Sequence, residues 1–423
     1  MTRMPAAASE VRLDVVVVGA GMAGATLALA LAQGGLEVGL IDQTAFEDMV
    51  APTFDGRASA ISFAAFRQWR ALGAAEGIAP HAQPIAQILV TDGARPGAAS
   101  RPAAGAWLRF DSDEIADRSE GEPLGYLIEN RHIRAGLAAA VRRTAVRVEA
   151  PTRILAVERE PGRVTIRLAD GVVLAAPLVV AADGRGSRLR QEAGIGVVAW
   201  PYGETGVVAT IGLERDHHGV AYEHFLPSGP FAILPLTERR ASLVWTERAA
   251  RADALVACPI EAFEAHLRRR FGDFLGALTV QGPRFAYPLG LQVADRTTAP
   301  RLALIGDAAH AVHPIAGQGL NLGLKDVAAL AQVLIEAARR GEDLGGEGVL
   351  ERYARWRSVD TMGLAVATDA FVRLFGNNHP ALRAARDLGL ALVNRIGPAR
   401  RLFMMEAGGA TGDLPRLLRG EVS

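Results

Sequence analysis

The sequence predicts an α/β protein in which a parallel-sheet domain is interrupted by an antiparallel-sheet domain and followed by a helical region. Three observations carry this prediction. Leu13–Val18 is rich in β-branched residues, runs into a glycine loop, and is followed by a helix and a second strand. From Thr205 to Thr246 the pattern changes to short strands separated by turns such as Leu226-Pro227-Ser228-Gly229-Pro230. Arg301–Ile305 then returns as a buried strand that ends in Gly306-Asp307.

The chain has 423 residues, more than one ordinary core accommodates, so two domains are the default. The first domain is expected to be discontinuous, over 9–84, 122–190 and 290–345; the inserted sheet domain takes 85–121 and 191–289, and 346–423 forms a C-terminal helical region. Within the first domain, Ala25–Gln33 reads as a helix of small and apolar residues stopped by Gly34-Gly35, and Glu37–Ile41 as a strand ending in Asp42. The segment Asp55–Ser62 reads as the start of a helix with Arg57 at its head. Arg131–Arg143 is a helix, Val146–Ala169 a hairpin-type strand pair, and Val172–Ala182 a strand ending in Asp183-Gly184. Further helices are expected over Ile260–Phe271, Leu320–Arg340 and most of Val349–Phe403.

Half of the residues are hydrophobic and 22% are charged, with zero formal net charge, so no global field favours nucleic acid. Of the 46 basic residues only Lys325 is lysine; with so much Ala and Gly, this bias reads as the base composition of a GC-rich bacterial genome. Cys258 is the only cysteine, which excludes a disulfide within the chain or a cysteine-based metal cluster. No apolar run is long enough for a transmembrane helix. The expected location is the cytoplasm, with peripheral contact to the inner membrane as an option.

The motifs point to a bound dinucleotide. Gly19-x-Gly21-x-x-Gly24 follows a strand and opens a helix, the Rossmann-type arrangement in which glycines permit a tight turn, close approach of a pyrophosphate and close helix packing. Asp42 at the end of the next strand suits a ribose hydroxyl and argues against a 2′-phosphate. Gly306-Asp307 supplies a second strand-end acid, which suits the ribityl chain of a flavin and favours FAD over NAD. Asp183-Gly184-Arg185-Gly186-Ser187 places another such turn near the cofactor or feeds a helix from Ser187. The stretch His313–Asp326, with Pro314, Gly317, Gln318, Gly319, Leu320 and Asn321, joins a proline turn to a glycine loop and then to an apolar helix. Backbone N–H groups at such a helix start stabilise negative charge. His310 and His313 are acid–base candidates only by proximity; Pro314 breaks any helix that would make them a metal pair, so no metal is expected. His217-His218 read as a solvated turn.

Together these segments resemble the class A flavoprotein aromatic hydroxylases with the p-hydroxybenzoate-hydroxylase-like fold. More narrowly they resemble the ubiquinone-biosynthesis hydroxylases, and the segment from Arg340-Gly341-Glu342-Asp343-Leu344 to Arg373-Leu374-Phe375 most resembles the 2-polyprenyl-6-methoxyphenol hydroxylase branch. The match includes His313-Pro-Ile-Ala-Gly-Gln-Gly-x-Asn321-x-Gly323-x-x-Asp326, Phe54–Ala58, Pro235 and Tyr287-Pro288-Leu289. The resemblance implies that Gly19, Gly21 and Gly24 meet the FAD pyrophosphate, Asp42 the adenosine ribose and Asp307 the ribityl chain. It implies that Arg57 lies near the ring edge, Pro314 near the reactive carbon, and Gly317 to Asn321 under the pyrimidine edge.

The implied activity is ring hydroxylation of a polyprenyl phenol with O2, through a flavin C4a-hydroperoxide and with NAD(P)H or another reductant as donor. The flavin carries the chemistry and no catalytic side chain is identified. Phe231–Leu236, Trp245 and Tyr287 are expected to line an apolar substrate pocket. The apolar, arginine-bearing stretches Thr361–Phe375 and Arg386–Met405 are either core helices or a surface for a membrane or a quinone-biosynthesis complex. Competing readings are a hydroxylase of another aromatic substrate, a prenyl reductase on the same scaffold, a halogenase (disfavoured, because Trp245 lacks a Trp-x-Trp partner) and a non-catalytic flavoprotein scaffold.

Overall fold

The computed structural model describes residues 10–51, 55–92, 108–114, 123–226, 229–312 and 318–358, with parts of 397–422. A sheet of six strands carries the first glycine loop. Its order is Thr298–Ala299, Leu302–Leu304, Leu178–Ala181, Val15–Val18, Val38–Ile41 and Arg147–Glu149, all parallel except the outermost Thr298–Ala299. The central strand Val15–Val18 is buried throughout, which explains its unbroken valine run: both faces are covered. Helix Met22–Gln33 packs on one face together with the long helix Gln318–Arg339.

An eight-stranded sheet forms the second layer system. Its order is His310–Ala311, Leu278–Ala294, Val197–Leu213, Arg240–Arg248, Gly229–Leu236, Val220–Leu226, Gln87–Asp92 and Leu108–Asp111. Side chains alternate across it. Val207, Ile211, Tyr222, Phe231, Ile233, Leu243 and Trp245 form one face and pack on helices Ala249–Ala257 and Ile260–Phe271. The opposite, inner face meets a three-stranded sheet of Ala58–Ser62, Gly125–Glu129 and Gln83–Ile85. A four-stranded sheet, Glu10–Arg12, Val173–Ala176, Val164–Leu168 and Ile154–Arg159, completes the set.

Several expectations need correction. Ala58–Ser62 is a strand, not a helix: it pairs residue for residue with Gly125–Glu129, and that non-local ladder overrides local propensity. The helix begins only at Phe63, where the Ser62 hydroxyl accepts the Ala65 N–H at 3.2 Å. Val172–Ala182 is two strands in two different sheets, separated at Pro177, which has no N–H to continue a ladder. The hairpin is confined to Ile154–Leu168, while Arg147–Glu149 joins the parallel sheet. Residues 347–358 are helical; most of the remaining C-terminal helical expectation lies outside the described residues.

Candidate active site

The parallel strands end together, so Gly19, Asp42, Asp183 and Gly306 all stand at the carboxyl edge of the six-stranded sheet. This is the edge where open α/β sheets bind ligands. The glycines there do different work. Gly19 has φ +106°, and a Cβ on it would come 2.3 Å from the Ala182 carbonyl oxygen; one on Gly24 would lie 1.9 Å from the Gly19 oxygen. Gly24 closes the turn on its own backbone, and Gly19 lets it lie against the end of the neighbouring strand. Gly21 has nothing within 4 Å of such a Cβ, so the tip of the loop presents bare backbone to open space. Gly21 is also the N-cap of helix Met22–Gln33 and gives it no side-chain cap, leaving the first-turn N–H groups to face outward.

Asp42 braces this loop. Its Oδ2 accepts the Ala20 N–H at 2.6 Å and its Oδ1 accepts the Thr44 N–H at 2.8 Å. Asp183 caps the short helix Arg188–Glu192: its Oδ2 accepts the Arg188 N–H at 2.9 Å, while its Oδ1 is buried with no hydrogen-bond partner among the described residues. The Ser187 hydroxyl accepts the Arg190 N–H at 3.1 Å, so the turn feeds a helix there as well.

Gly306, with φ +57°, donates its N–H to Asp326 Oδ2 at 3.0 Å. A Cβ on Gly323 would come 3.1 Å from the Gly306 Cα, so glycines on both sides let the long helix approach the turn. Ala23 of the first helix lies against both. Asp307 opens to the cleft, yet the surrounding protein displaces so much water that its carboxyl is held above the ordinary range; His310, Arg57 and Arg185 only partly offset this.

Arg57 sits over the Tyr287 ring at 5.0 Å, and its N–H and guanidinium both reach Asp55, at 2.8 and 3.3 Å. Asp55 is buried and also paired with Arg134. Burial pushes its carboxyl up, but the two guanidiniums outweigh that and hold it below the usual carboxylate range. Asn321, in the first turn of the long helix, is committed to strand Ala58–Ser62. Its Oδ1 accepts the Ser62 N–H and its Nδ2 donates to the Ala60 carbonyl, each at 2.9 Å. Gly319 and Leu320 are half-buried beside it; Gln318 begins the helix, and Pro314 and Gly317 lie outside the described residues.

A model of the FAD binding domain family matches residues 12–363 of this chain. The chain belongs to the FAD-binding monooxygenases. Ubiquinone hydroxylase UbiL of Rhodospirillum rubrum is 45% identical to this monooxygenase over 411 residues, covering 96% of this chain and 92% of the relative. The 3-demethoxyubiquinol 3-hydroxylase of Escherichia coli is 35% identical over 399 residues, covering 94% and 98%. Among solved structures, p-nitrophenol 4-monooxygenase PnpA of Pseudomonas putida DLL-E4 superposes with a TM-score of 0.78 at 20% identity, covering 96% of this chain and 99% of that one, which shows the shared fold. This monooxygenase is an FAD-dependent aromatic hydroxylase with the α/β fold of the p-hydroxybenzoate hydroxylases.

Sequence reasoning missed the buried network beneath the Gly306 turn. Asp326 accepts from His310 Nε2 at 2.6 Å and from Arg357 Nε at 2.7 Å. Burial raises its carboxyl, and His310 and Arg357 more than offset that and hold it low. His310 is thus a brace, almost wholly buried. Asp326 closes the glycine-rich stretch and was visible there, but its partners come from distant segments. Two other expectations are corrected. His217 is buried, with Nε2 against the Leu236 carbonyl at 2.7 Å, and only His218 is exposed. Phe231 and Trp245 belong to the helix-covered core of the large sheet rather than to a pocket, because alternation turns them away from the cofactor side. Leu234, Leu236 and Tyr287 remain on the inner side.

Proposed function

We propose that this monooxygenase hydroxylates the aromatic ring of a polyprenyl phenol on the route to ubiquinone. The observation that carries the reading is its near full-length similarity to the Rhodospirillum rubrum ubiquinone hydroxylase, 45% identical over 96% of the chain. The inner face of the large sheet is apolar in agreement with it: half-buried Leu234 lies against the buried cluster of Ile85, Ala221 and Leu236.

The residues at the sheet edge fit FAD. The bare loop at Gly21 leaves room for a pyrophosphate, which the uncapped helix start would hold. Asp42, fixed by Ala20 and Thr44, would take the adenosine ribose; Asp307, open to the cleft, would take the ribityl hydroxyls. Gly306 and Asp183 would shape the turns around it, and Asp183 Oδ1 is buried and unpartnered at that edge. Arg57 would stand at the ring edge, Pro314 near the reactive carbon, and Gly317, Gln318, Gly319, Leu320 and Asn321 under the pyrimidine side. When bound, FAD supplies the two-electron reduction and the activation of O2. The chain's own part is to position the ring, exclude water and stabilise negative charge. The start of helix Gln318–Arg339 does the last of these through its N–H groups, an effect worth a few kcal/mol in a dry site. The electron donor is proposed to be NAD(P)H, arriving from solution.

No described helix is long and apolar enough to cross a membrane, so a membrane-borne substrate would be met at the surface or through partner proteins. Complementation tests the function. Expressed in strains each blocked at one ring hydroxylation of ubiquinone synthesis, this gene restores the quinone in at least one, and mass spectrometry of the precursors names the position. Restoration in none, with holoprotein present, contradicts the reading.

A further inference from the structure

On the inner face of the large sheet, Glu223 carries a carboxyl with no hydrogen-bond or ion-pair partner among the described residues. In strand Val220–Leu226, Tyr222 and His224 turn toward the helices, where both rings contact Phe271. Glu223 between them therefore points to the cofactor side. Its cross-strand neighbours are Ala232 and Val90, and its same-face neighbours along the strand are Ala221 and Phe225. Ala221 packs with Ile85, Leu127 and Leu236, against which Ala58 and Ala60 lie. Phe225 packs with Val90, Leu108, Phe110 and Met404. Glu223 thus sits between two apolar clusters, and one of them reaches the start of the long helix, because the Ala60 carbonyl accepts from Asn321.

Of the other ionisable groups on this side, Asp92 stands opposite Phe225 in the neighbouring strand, and the following are engaged or distant. Arg240 is held by Glu129 at 3.0 Å, Arg57 by Asp55 and the Tyr287 ring, and Glu204 and Arg248 lie opposite one another further along the sheet. Among the described residues Glu223 has no hydrogen bond or ion pair, and it is only part-buried. Burial alone pushes its carboxyl up to about 7. Leucine at this position would pack better; a lone carboxyl in an apolar wall is what a substrate-anchoring polar group looks like.

We propose that Glu223 is the catalytic base of this monooxygenase, accepting the hydrogen bond of the substrate's phenolic hydroxyl and taking its proton as the ring gains oxygen. The proposal rests on the reading of a phenol as substrate. The phenolic O–H bond breaks and a carboxyl O–H forms, and the freed electron pair drives the ring carbon to attack the oxygen that O2 and the reduced cofactor supply. The ring then loses its C–H proton to solvent and the phenolate oxygen takes its own proton back from Glu223. One C–H becomes C–OH, the second oxygen atom leaves as water, and NAD(P)H supplies the two electrons. A carboxyl poised near neutrality suits this exchange. Asp326 and His310 are excluded from the role because each is locked in the buried network with Arg357.

The test uses FAD-loaded full-length wild type, Glu223→Gln and Glu223→Asp with 2-prenylphenol and its O-methyl ether as probes. Flavin content and absorbance shifts report binding, and product formation is followed from about pH 5 to about pH 9. Glu223→Gln is expected to keep its FAD, to bind the ether as wild type does, and to lose about 100-fold in kcat together with the wild-type rise in rate near neutral pH. Glu223→Gln within about 3-fold of wild type, with the same pH profile, overturns the proposal while leaving phenol hydroxylation intact. Wild type that turns over O2 and NAD(P)H but hydroxylates no phenol overturns the functional reading and this proposal with it. Should the Gln variant fail to accumulate as holoprotein, Glu223→Asp decides: a lowered kcat that keeps the pH rise supports the base, and an unchanged kcat overturns it.

Discussion

The carboxyl edge of the six-stranded sheet and the inner face of the eight-stranded sheet approach each other across strand Ala58–Ser62, and they handle polar groups in opposite ways. At the edge three acids are matched: Asp42 by two backbone N–H groups, Asp55 by Arg57 and Arg134, Asp326 by Gly306, His310 and Arg357. On the inner face Glu223 has no partner among the described residues. At the edge the exposed carboxyl of Asp307 and one oxygen of Asp183 are what the protein leaves for a resident cofactor. The inner face keeps one carboxyl open for a visitor.

Removing a partner should hurt the edge most. Asp326→Leu removes the carboxylate that His310, Arg357 and the Gly306 N–H share in the buried interior, so a loss of about 3–5 kcal/mol is expected in urea unfolding of the apoprotein. Next comes Gly24→Ala, whose Cβ would overlap the Gly19 carbonyl; a loss of about 3 kcal/mol and of FAD retention is expected by the same assay and by flavin absorbance.

Glu223→Gln should do the reverse on the inner face. The wild-type carboxyl is protonated in the folded state up to about pH 7 but ionises in the unfolded chain from its ordinary 4.5. The folded state therefore holds the extra proton between those values, and wild-type stability falls as pH rises through that window and is level above it. Glu223→Gln should be more stable than wild type by roughly 2 kcal/mol at pH 8, with the gap closing by about pH 4; thermal melts at both ends of the range check this. The smallest effect belongs to Gly21→Ala. Its Cβ meets nothing, so the apoprotein melting temperature should hold while FAD affinity drops about tenfold by titration, a difference of about 1.4 kcal/mol. Equal FAD affinity would show that the loop tip does not face the pyrophosphate.

The same contrast explains what could be read from the sequence. The Gly19–Gly24 loop, its flanking strands and Asp42 are local, and their order along the chain fixes their geometry. Ala58–Ser62 was misjudged because its five residues carry little strand signal and its partner strand begins more than sixty residues later, at Gly125. Asp326 stood in the recognised stretch, but nothing local joins it to Arg357. Phe231 and Trp245 looked like pocket aromatics because alternation shows that a strand has two faces without showing which one meets the helices. Glu223 carried the one usable signal, a lone acid within Ala-Tyr-Glu-His-Phe-Leu, and its meaning depends on the strands beside it.

The central claim is that the cofactor wall activates oxygen for insertion into a phenol held by the apolar wall. Isotopically heavy O2 tests it most directly. FAD-loaded protein is given NAD(P)H, heavy O2 and 2-prenylphenol, and the products are resolved by mass spectrometry. One heavy oxygen atom in a new ring hydroxyl is the predicted result; consumption of NAD(P)H with only peroxide formed, or a hydroxyl oxygen drawn from water, would contradict it.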